Sequence, residues 1–201
     1  WNDKVYIRSM GNHGKLGGLS KKAQEVGDVL AASGKDIIIF ETVGVGQAEH
    51  DIISAADLSI VVLVPESGDE VQLMKAGIIE IGDIFVINKS DRKGANKLAS
   101  KLKNILHFFN KENMNEPEVY NTCAIDGKGI VELYLGIENC IKIMNENNTL
   151  KSRKIKRYEK RITELVNESL IKSFWSDKRK LLLKELINLS NLDLLSPEKI
   201  A

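Results

Sequence analysis

Apolar residues in this chain fall into short continuous runs separated by stretches with a helical period. Five runs read as buried strands: Val5 to Arg8, Asp36 to Phe40, Leu58 to Val64, Ile84 to Ile87 and Val119 to Thr122. Each is brief, rich in Ile and Val, and bounded by turn or polar residues. Between them, Leu19 to Ala32 places Ala23, Val26, Val29 and Leu30 at helical spacing, and Val71 to Ile79 behaves similarly. Lys97 to Asn110 repeats the pattern with Leu98, Leu102, Ile105, Leu106 and Phe109. Strands that alternate with helices and lack in-out alternation predict an α/β fold, its mainly parallel sheet covered on both faces. After Gly129 the pattern becomes helical throughout. Ile130 to Met144 predicts one helix, and Lys151 to Phe174 a second with an apolar stripe from Ile155 through Ile162 and Val166 to Phe174. A third runs from Asp177, read as its N-cap, to about Leu189, and Ser196-Pro197-Glu198 opens another.

Charge divides the chain at nearly the same place. Residues 1–150 carry 16 Lys/Arg against 21 Asp/Glu, and residues 151–201 carry 13 against 7. With the polar hinge Asn145 to Thr149, this predicts an α/β domain over residues 1–148 and a helical C-terminal arm over 149–201. The basic arm lacks aromatic interleaving or a nucleic-acid-binding module, so it reads as a solvated helix face. No run approaches the ~18 apolar residues of a membrane span, and no signal peptide opens the chain. Cys123 and Cys140 form neither a disulfide framework nor a metal-ligand spacing, and the three His are scattered. A cytoplasmic, reduced protein is the economical expectation. The chain starts at Trp1 and enters a strand-like segment almost at once, which reads as a cut N-terminus and leaves a lost targeting signal open.

In open α/β sheets ligands bind beyond the carboxyl ends of the strands, which directs attention to three loops. Asn88-Lys89-Ser90-Asp91 follows the run Ile84 to Ile87. An Asp carboxylate can accept both N1-H and N2-H of guanine, an edge adenine lacks, so Asp91 suits guanine; Lys89 suits the base plane, and Asn88 can tie neighbouring loops together. These are also ordinary turn residues, and the position behind a buried strand is what raises the match. After Phe40 comes Glu41-Thr42-Val43-Gly44-Val45-Gly46-Gln47. An acidic strand end followed by Gly is how nucleotide hydrolases place Mg²⁺ and turn a backbone N-H to the γ-phosphate; the alternative is a Gly-rich turn with a solvated Glu. After Asn121 comes Thr122-Cys123-Ala124-Ile125-Asp126-Gly127, whose small residues let backbone N-H groups approach a base carbonyl. Cys123 reads as a small buried group rather than a reactive thiol. Gly11 to Gly18 imitates a phosphate loop, but only two residues separate Gly11 from Gly14-Lys15 where four are required, and Leu16 stands where Ser or Thr belongs.

Taken together, Val5 to Met10, Leu16 to Leu19, Glu41 to Gln47 and Asn88 to Asp91 resemble the methylmalonyl-CoA mutase-associated GTPases of MeaB/ArgK type, from about Val5 to the end of the chain. The resemblance implies a P-loop G domain with a helical arm that helps form a homodimer. It also implies Mg²⁺-dependent GTP hydrolysis that gates cobalamin loading and protects a cobalamin-dependent acyl-CoA mutase. By that resemblance Asn88, Lys89 and Asp91 read the base, and Cys123, Ala124 and Ile125 close over the guanine, with Cys in place of the family's Ser. Glu41 and Gly44 form the metal and γ-phosphate switch, followed by Gln47. Asp69, Gln72 and Lys75, within Pro65 to Lys75, belong to a segment that signals to the mutase. Val45 stands where many small GTPases carry a water-positioning Gln, so a different device is implied. The family's phosphate loop would lie upstream of Trp1, and the 201 residues alone are expected to lack hydrolysis and to expose unpaired strand edges. The alternatives are a non-enzymatic module that binds a partner without nucleotide and, more distantly, an α/β protein with fortuitous loops.

Overall fold

The computed structural model describes residues 4–10, 23–42, 55–65, 78–109 and 116–189. By contact density the chain divides into two compact units, Trp1–Lys154 and Ile155–Ala201. In the first, helix α1 (Ala23–Ala32) is followed by strand β1 (Ile60–Leu63), the single turn α2 (Ile78–Ile81), β2 (Ile84–Ile87), α3 (Ala95–Phe109), β3 (Glu118–Asn121) and α4 (Ile130–Glu146). Helix α5 (Thr149–Phe174) begins in this unit and continues into the second, which also holds α6 (Asp177–Leu189).

The strands form a parallel sheet of order β1-β2-β3, with Phe85 opposite Val61 and Val119. All four residues of β2 are buried, as a central parallel strand requires, because side chains leave it toward both faces. On one face Phe85 and Ile87 pack with Leu63 against Ala95, Leu98, Ala99, Leu102 and Leu106 of α3. The i, i+3, i+4, i+7 spacing of the α3 residues aims them at one side of the helix, which is why the periodicity was sufficient to locate it. Ile84 and Val86 are buried on the other face, but their β1 neighbours are not: Val62 is 60% exposed. The expected double cover is therefore complete on one face and partial on the other.

Two of the five expected strands do not form. Val5 to Arg8 and Asp36 to Phe40 join no ladder, and Ile7 and Ile39 are 88% and 84% exposed. An apolar run specifies a side-chain surface, whereas a strand also needs an adjacent edge to pair its N-H and C=O groups, and none is supplied among the described residues. The expectation for Leu58 to Val64 contracts to Ile60–Leu63, and the helix expected over Val71 to Ile79 is described only from Ile78. The glycine-rich stretch Gly11 to Gly18 and the helix start at Ser196 lie outside the described residues.

In the second unit α6 is capped differently from the sequence reading. Arg179 donates its backbone N-H to Ser176 Oγ at 3.4 Å, so Ser176 is the N-cap and Asp177 the first helical residue. Arg179 then folds back over Phe174, its guanidinium 4.5 Å from the ring centre and within hydrogen-bond reach of the Phe174 carbonyl at 2.9 Å. The α5 stripe is left open within this unit: Tyr158, Leu165 and Leu170 are exposed. Among the described residues no helix is long and apolar enough to cross a membrane.

Candidate functional site: the loops beyond β2 and β3

Parallel strands bring their carboxyl ends to the same edge of the sheet, so the loops leaving β2 and β3 emerge side by side. Register then joins them. Asn88 donates its N-H to Leu63 O at 2.8 Å, continuing the β1-β2 ladder, and Thr122 donates to Ile87 O at 2.9 Å, continuing the β2-β3 ladder. Ser90 closes the next step with a 3.0 Å bond to Thr122 O. Between these backbone anchors, the Asn88 side-chain oxygen accepts from Thr122 Oγ1 at 3.3 Å and from the Ala124 N-H at 3.2 Å. Asn88 thus ties the two loops together. The Ala124 N-H that the sequence offers to a base carbonyl is held by Asn88 here.

The second loop is a compact turn. Cys123 donates its N-H to Lys128 O at 2.9 Å and accepts from the Asp126 N-H at 3.2 Å. Gly127 and Gly129 take φ of 71° and 74°, the left-handed region that glycine occupies without strain. A Cβ on Gly129 would also collide with Asn121 O at the end of β3, so glycine is required twice over. The turn ends at the N-terminus of α4, which lies against β3 where Gly136 admits the Tyr120 hydroxyl.

Asp91 is exposed at the end of the first loop, and its Oδ1 accepts from Cys123 Sγ at 3.3 Å. The same sulfur lies 3.3 Å from Asp126 Oδ2. The bond to Asp126, then that to Asp91, pushes the thiol above its ordinary value, because both carboxylates favour the protonated sulfur, against an opposing Asp126 backbone contribution. Cys123 is buried and protonated, in keeping with a small buried group rather than a nucleophile. Lys89 adopts φ of 56°, an unusual left-handed conformation for a lysine, one residue before the bend to Asp91. Ile125 stands 94% exposed at the tip of the second loop.

The structure therefore brings Asn88, Lys89, Asp91, Cys123, Ala124 and Ile125 into two adjoining loops. Glu41 is described and exposed, and no described hydrogen bond links it to those loops. Gly44, Gln47, Asp69, Gln72 and Lys75 lie outside the described residues. Sequence reasoning missed the parts of Thr122 and Asp126. The only local signal for Asp126 was its i+3 spacing from Cys123 in a glycine-terminated turn. It also missed an ion pair at the opposite edge of the sheet. Arg153, in the first turns of α5, makes two 2.8 Å bonds to the two oxygens of Asp83 and a 3.0 Å bond to Asp57 O. Asp83 Oδ2 also accepts the N-H of buried Ser59 at 2.8 Å.

Comparison with known proteins bears on the whole arrangement. Residues 1–179 match the family described as methylmalonyl Co-A mutase-associated GTPase MeaB. A Pyrococcus abyssi protein provisionally named a GTPase is 42% identical over 167 residues, covering 81% of this chain and 51% of that protein. The GTPase ArgK of Escherichia coli is 32% identical over 139 residues, 67% of this chain and 42% of its own length. The mouse mitochondrial methylmalonic aciduria type A homolog is 30% identical over 174 residues, 85% and 42% of the two chains. The chain thus spans about half the length of the curated relatives it matches. With most of its length matched by one family and an α/β sheet of the kind GTPase domains use, the chain belongs to the methylmalonyl-CoA mutase-associated GTPase (MeaB) family.

Proposed function

We propose that this chain supplies the guanine-reading part of a GTPase that acts as a G-protein chaperone for a cobalamin-dependent acyl-CoA mutase, gating cofactor loading and protecting the mutase. The observation that carries the reading is the Asn88 side chain, which fastens the Asp91 loop to the Thr122 to Ile125 loop. Asp91 accepts the paired N1-H and N2-H of guanine; opposite adenine its carboxylate faces no such pair, which is how a polar site discriminates strongly. Lys89 lies along the base, and Cys123, Ala124 and Ile125 close over it. Hydrolysis takes place where the phosphates are held, with Gly44 offering its N-H to the γ-phosphate and Glu41 acting on Mg²⁺ through water. Among the described residues no cluster of three His, Cys, Asp or Glu could hold a metal. A single exposed carboxylate at Glu41 suits Mg²⁺, which keeps several waters and is held largely by substrate phosphates. Gln47, Asp69, Gln72 and Lys75 serve the switch and its signal to the mutase. The helical arm, residues 149–201, contributes to a homodimer through the exposed stripe on α5, and the protein works in the cytoplasm.

The test is base preference in the full-length protein. Asp91→Asn is expected to weaken GTP and to favour a xanthine nucleotide, whose 2-oxo group accepts from the new amide. Unchanged preference between GTP and the xanthine nucleotide would remove Asp91 from base recognition.

A further inference from the structure

The corner where α5 meets α6 holds an open groove of about 400 Å³, lined by Leu170, Ile171, Ser173, Phe174, Trp175 and Arg179. Phe174 and Trp175 meet edge to face with ring centres 5.3 Å apart. Arg179 caps the Phe174 ring and bonds its carbonyl, which fixes the aromatic pair against the start of α6. Ser173 Oγ donates to Leu170 O at 2.9 Å, so its hydrogen is already used within α5. Leu170, Ile171, Phe174 and Trp175 remain exposed. Contiguous apolar surface of this kind marks an interaction site, and Trp and Arg are the side chains that most often anchor one.

Charge selects the partner. Helix α6 opens Asp177-Lys178-Arg179-Lys180, with Lys184 a turn later, and Asp177 is paired with Lys180 at 3.4 Å. Cations in the first turn of a helix act against the positive end of its dipole, so Lys178 and Arg179 weaken α6 unless an anion is placed beside them. A second copy laid on the same patch by a two-fold axis sets these cations against their equivalents. A lipid surface requires segregated faces, whereas Leu182 and Leu186 share one side of α6 with Lys178 and Glu185.

We propose that the corner between α5 and α6 is a docking site for an acidic amphipathic segment of a partner protein. Apolar side chains of that segment enter the groove against Leu170, Phe174 and Trp175, and its carboxylates meet Lys178 and Arg179. A guanidinium has five N-H donors, so the bond from Arg179 to the Phe174 carbonyl leaves donors for a carboxylate. The site is separate from base reading, and Tyr158, Ile162 and Leu165 of the α5 stripe remain for the homodimer.

The test measures, by fluorescence anisotropy on the full-length protein, binding of a synthetic peptide of about 18 residues, about five helical turns, with Leu along one face and Glu elsewhere. Saturable binding is expected, with a peptide carrying Lys in place of Glu bound at least about tenfold more weakly. Leu170→Ala should weaken the acidic peptide about tenfold through lost apolar burial, and Lys178→Glu about three- to tenfold while improving the Lys peptide. Leu182→Ala, outside the groove, should leave binding unchanged. No binding at about 100 μM peptide, or equal binding of a scrambled peptide of the same composition, overturns the proposal. Two other outcomes also overturn it. If sedimentation shows Leu170→Ala converting a dimer to a monomer, a second copy occupies the groove. If Leu170→Ala weakens attachment to phosphatidylserine and phosphatidylcholine vesicles but not peptide binding, the groove serves a lipid surface.

Discussion

Cutting the Asp83-Arg153 pair tests how the amino edge of the sheet is secured to the first turns of α5. The two 2.8 Å bonds are bidentate, and the side chains are 16% and 28% exposed. Breaking a fully buried pair costs about 3–5 kcal/mol, whereas an exposed pair is worth about 0.2–1 kcal/mol. A bidentate pair with this residual exposure, discounted for solvent screening, places Arg153→Ala near ~2 kcal/mol. Asp83→Ala should cost more, because the buried Ser59 N-H also loses its acceptor, adding about 1–3 kcal/mol. Asp83→Asn keeps an oxygen for Ser59 and should fall between no effect and the alanine variant. The bond to Asp83 raises the guanidinium pKa further, so Arg153 keeps its charge throughout the ordinary pH range. Urea unfolding of the single and double alanine variants, read as midpoint shifts at constant slope, gives the coupling energy directly. A coupling of about 1–2 kcal/mol that shrinks in 1 M salt is expected, since the screening length there is about 3 Å. A coupling below about 0.3 kcal/mol, or Asp83→Ala no worse than Arg153→Ala, would refute the account.

Two further outcomes follow from named contacts. Gly129→Ala forces a left-handed residue into contact with the Asn121 carbonyl, and should lower stability by at least about 2 kcal/mol in a thermal or urea melt; a loss under about 0.5 kcal/mol would show that the turn relaxes freely. Stability should also decline above pH 9.0, because Cys123 and Cys140 both have thiol pKa values raised in the fold, Cys123 chiefly through Asp126 and Cys140 chiefly through burial. A raised folded pKa means the native state holds its proton more tightly, so the contribution is complete below 9.0 and is lost as pH rises through the folded value. The urea midpoint of wild type should therefore fall more between pH 7.5 and pH 10 than that of a Cys123→Ser, Cys140→Ala variant, which lacks both titrating thiols; parallel curves would refute the linkage.

Much of the first unit was legible because periodicity and burial coincide there. Leu98, Leu102 and Leu106 mark α3 by spacing alone, and Ile84 to Ile87 mark a central strand because no position in the run is polar. Ile37 to Phe40 has the same composition and forms no strand, since hydrophobicity reports that a surface needs cover and is silent about which edge will pair with it. Ser176 and Asp177 are both good N-caps, and the choice between them depended on which backbone N-H the first oxygen could reach.

By itself the sequence located the runs that become the three strands, the helices over Ile130–Glu146, Thr149–Phe174 and Asp177–Leu189, and the place of the Asn88 to Asp91 loop behind a buried strand, because these depend on short-range order along the chain. Only the tertiary structure decided that Asn88 bonds Thr122 and Ala124, that Cys123 lies between Asp91 and Asp126, and that Arg153 grips Asp83 across 70 positions. Those contacts depend on parallel register, which carries the ends of β2 and β3 to one edge and the starts of β1 and β2 to the other. Register is a property of paired strands, and no single segment contains it.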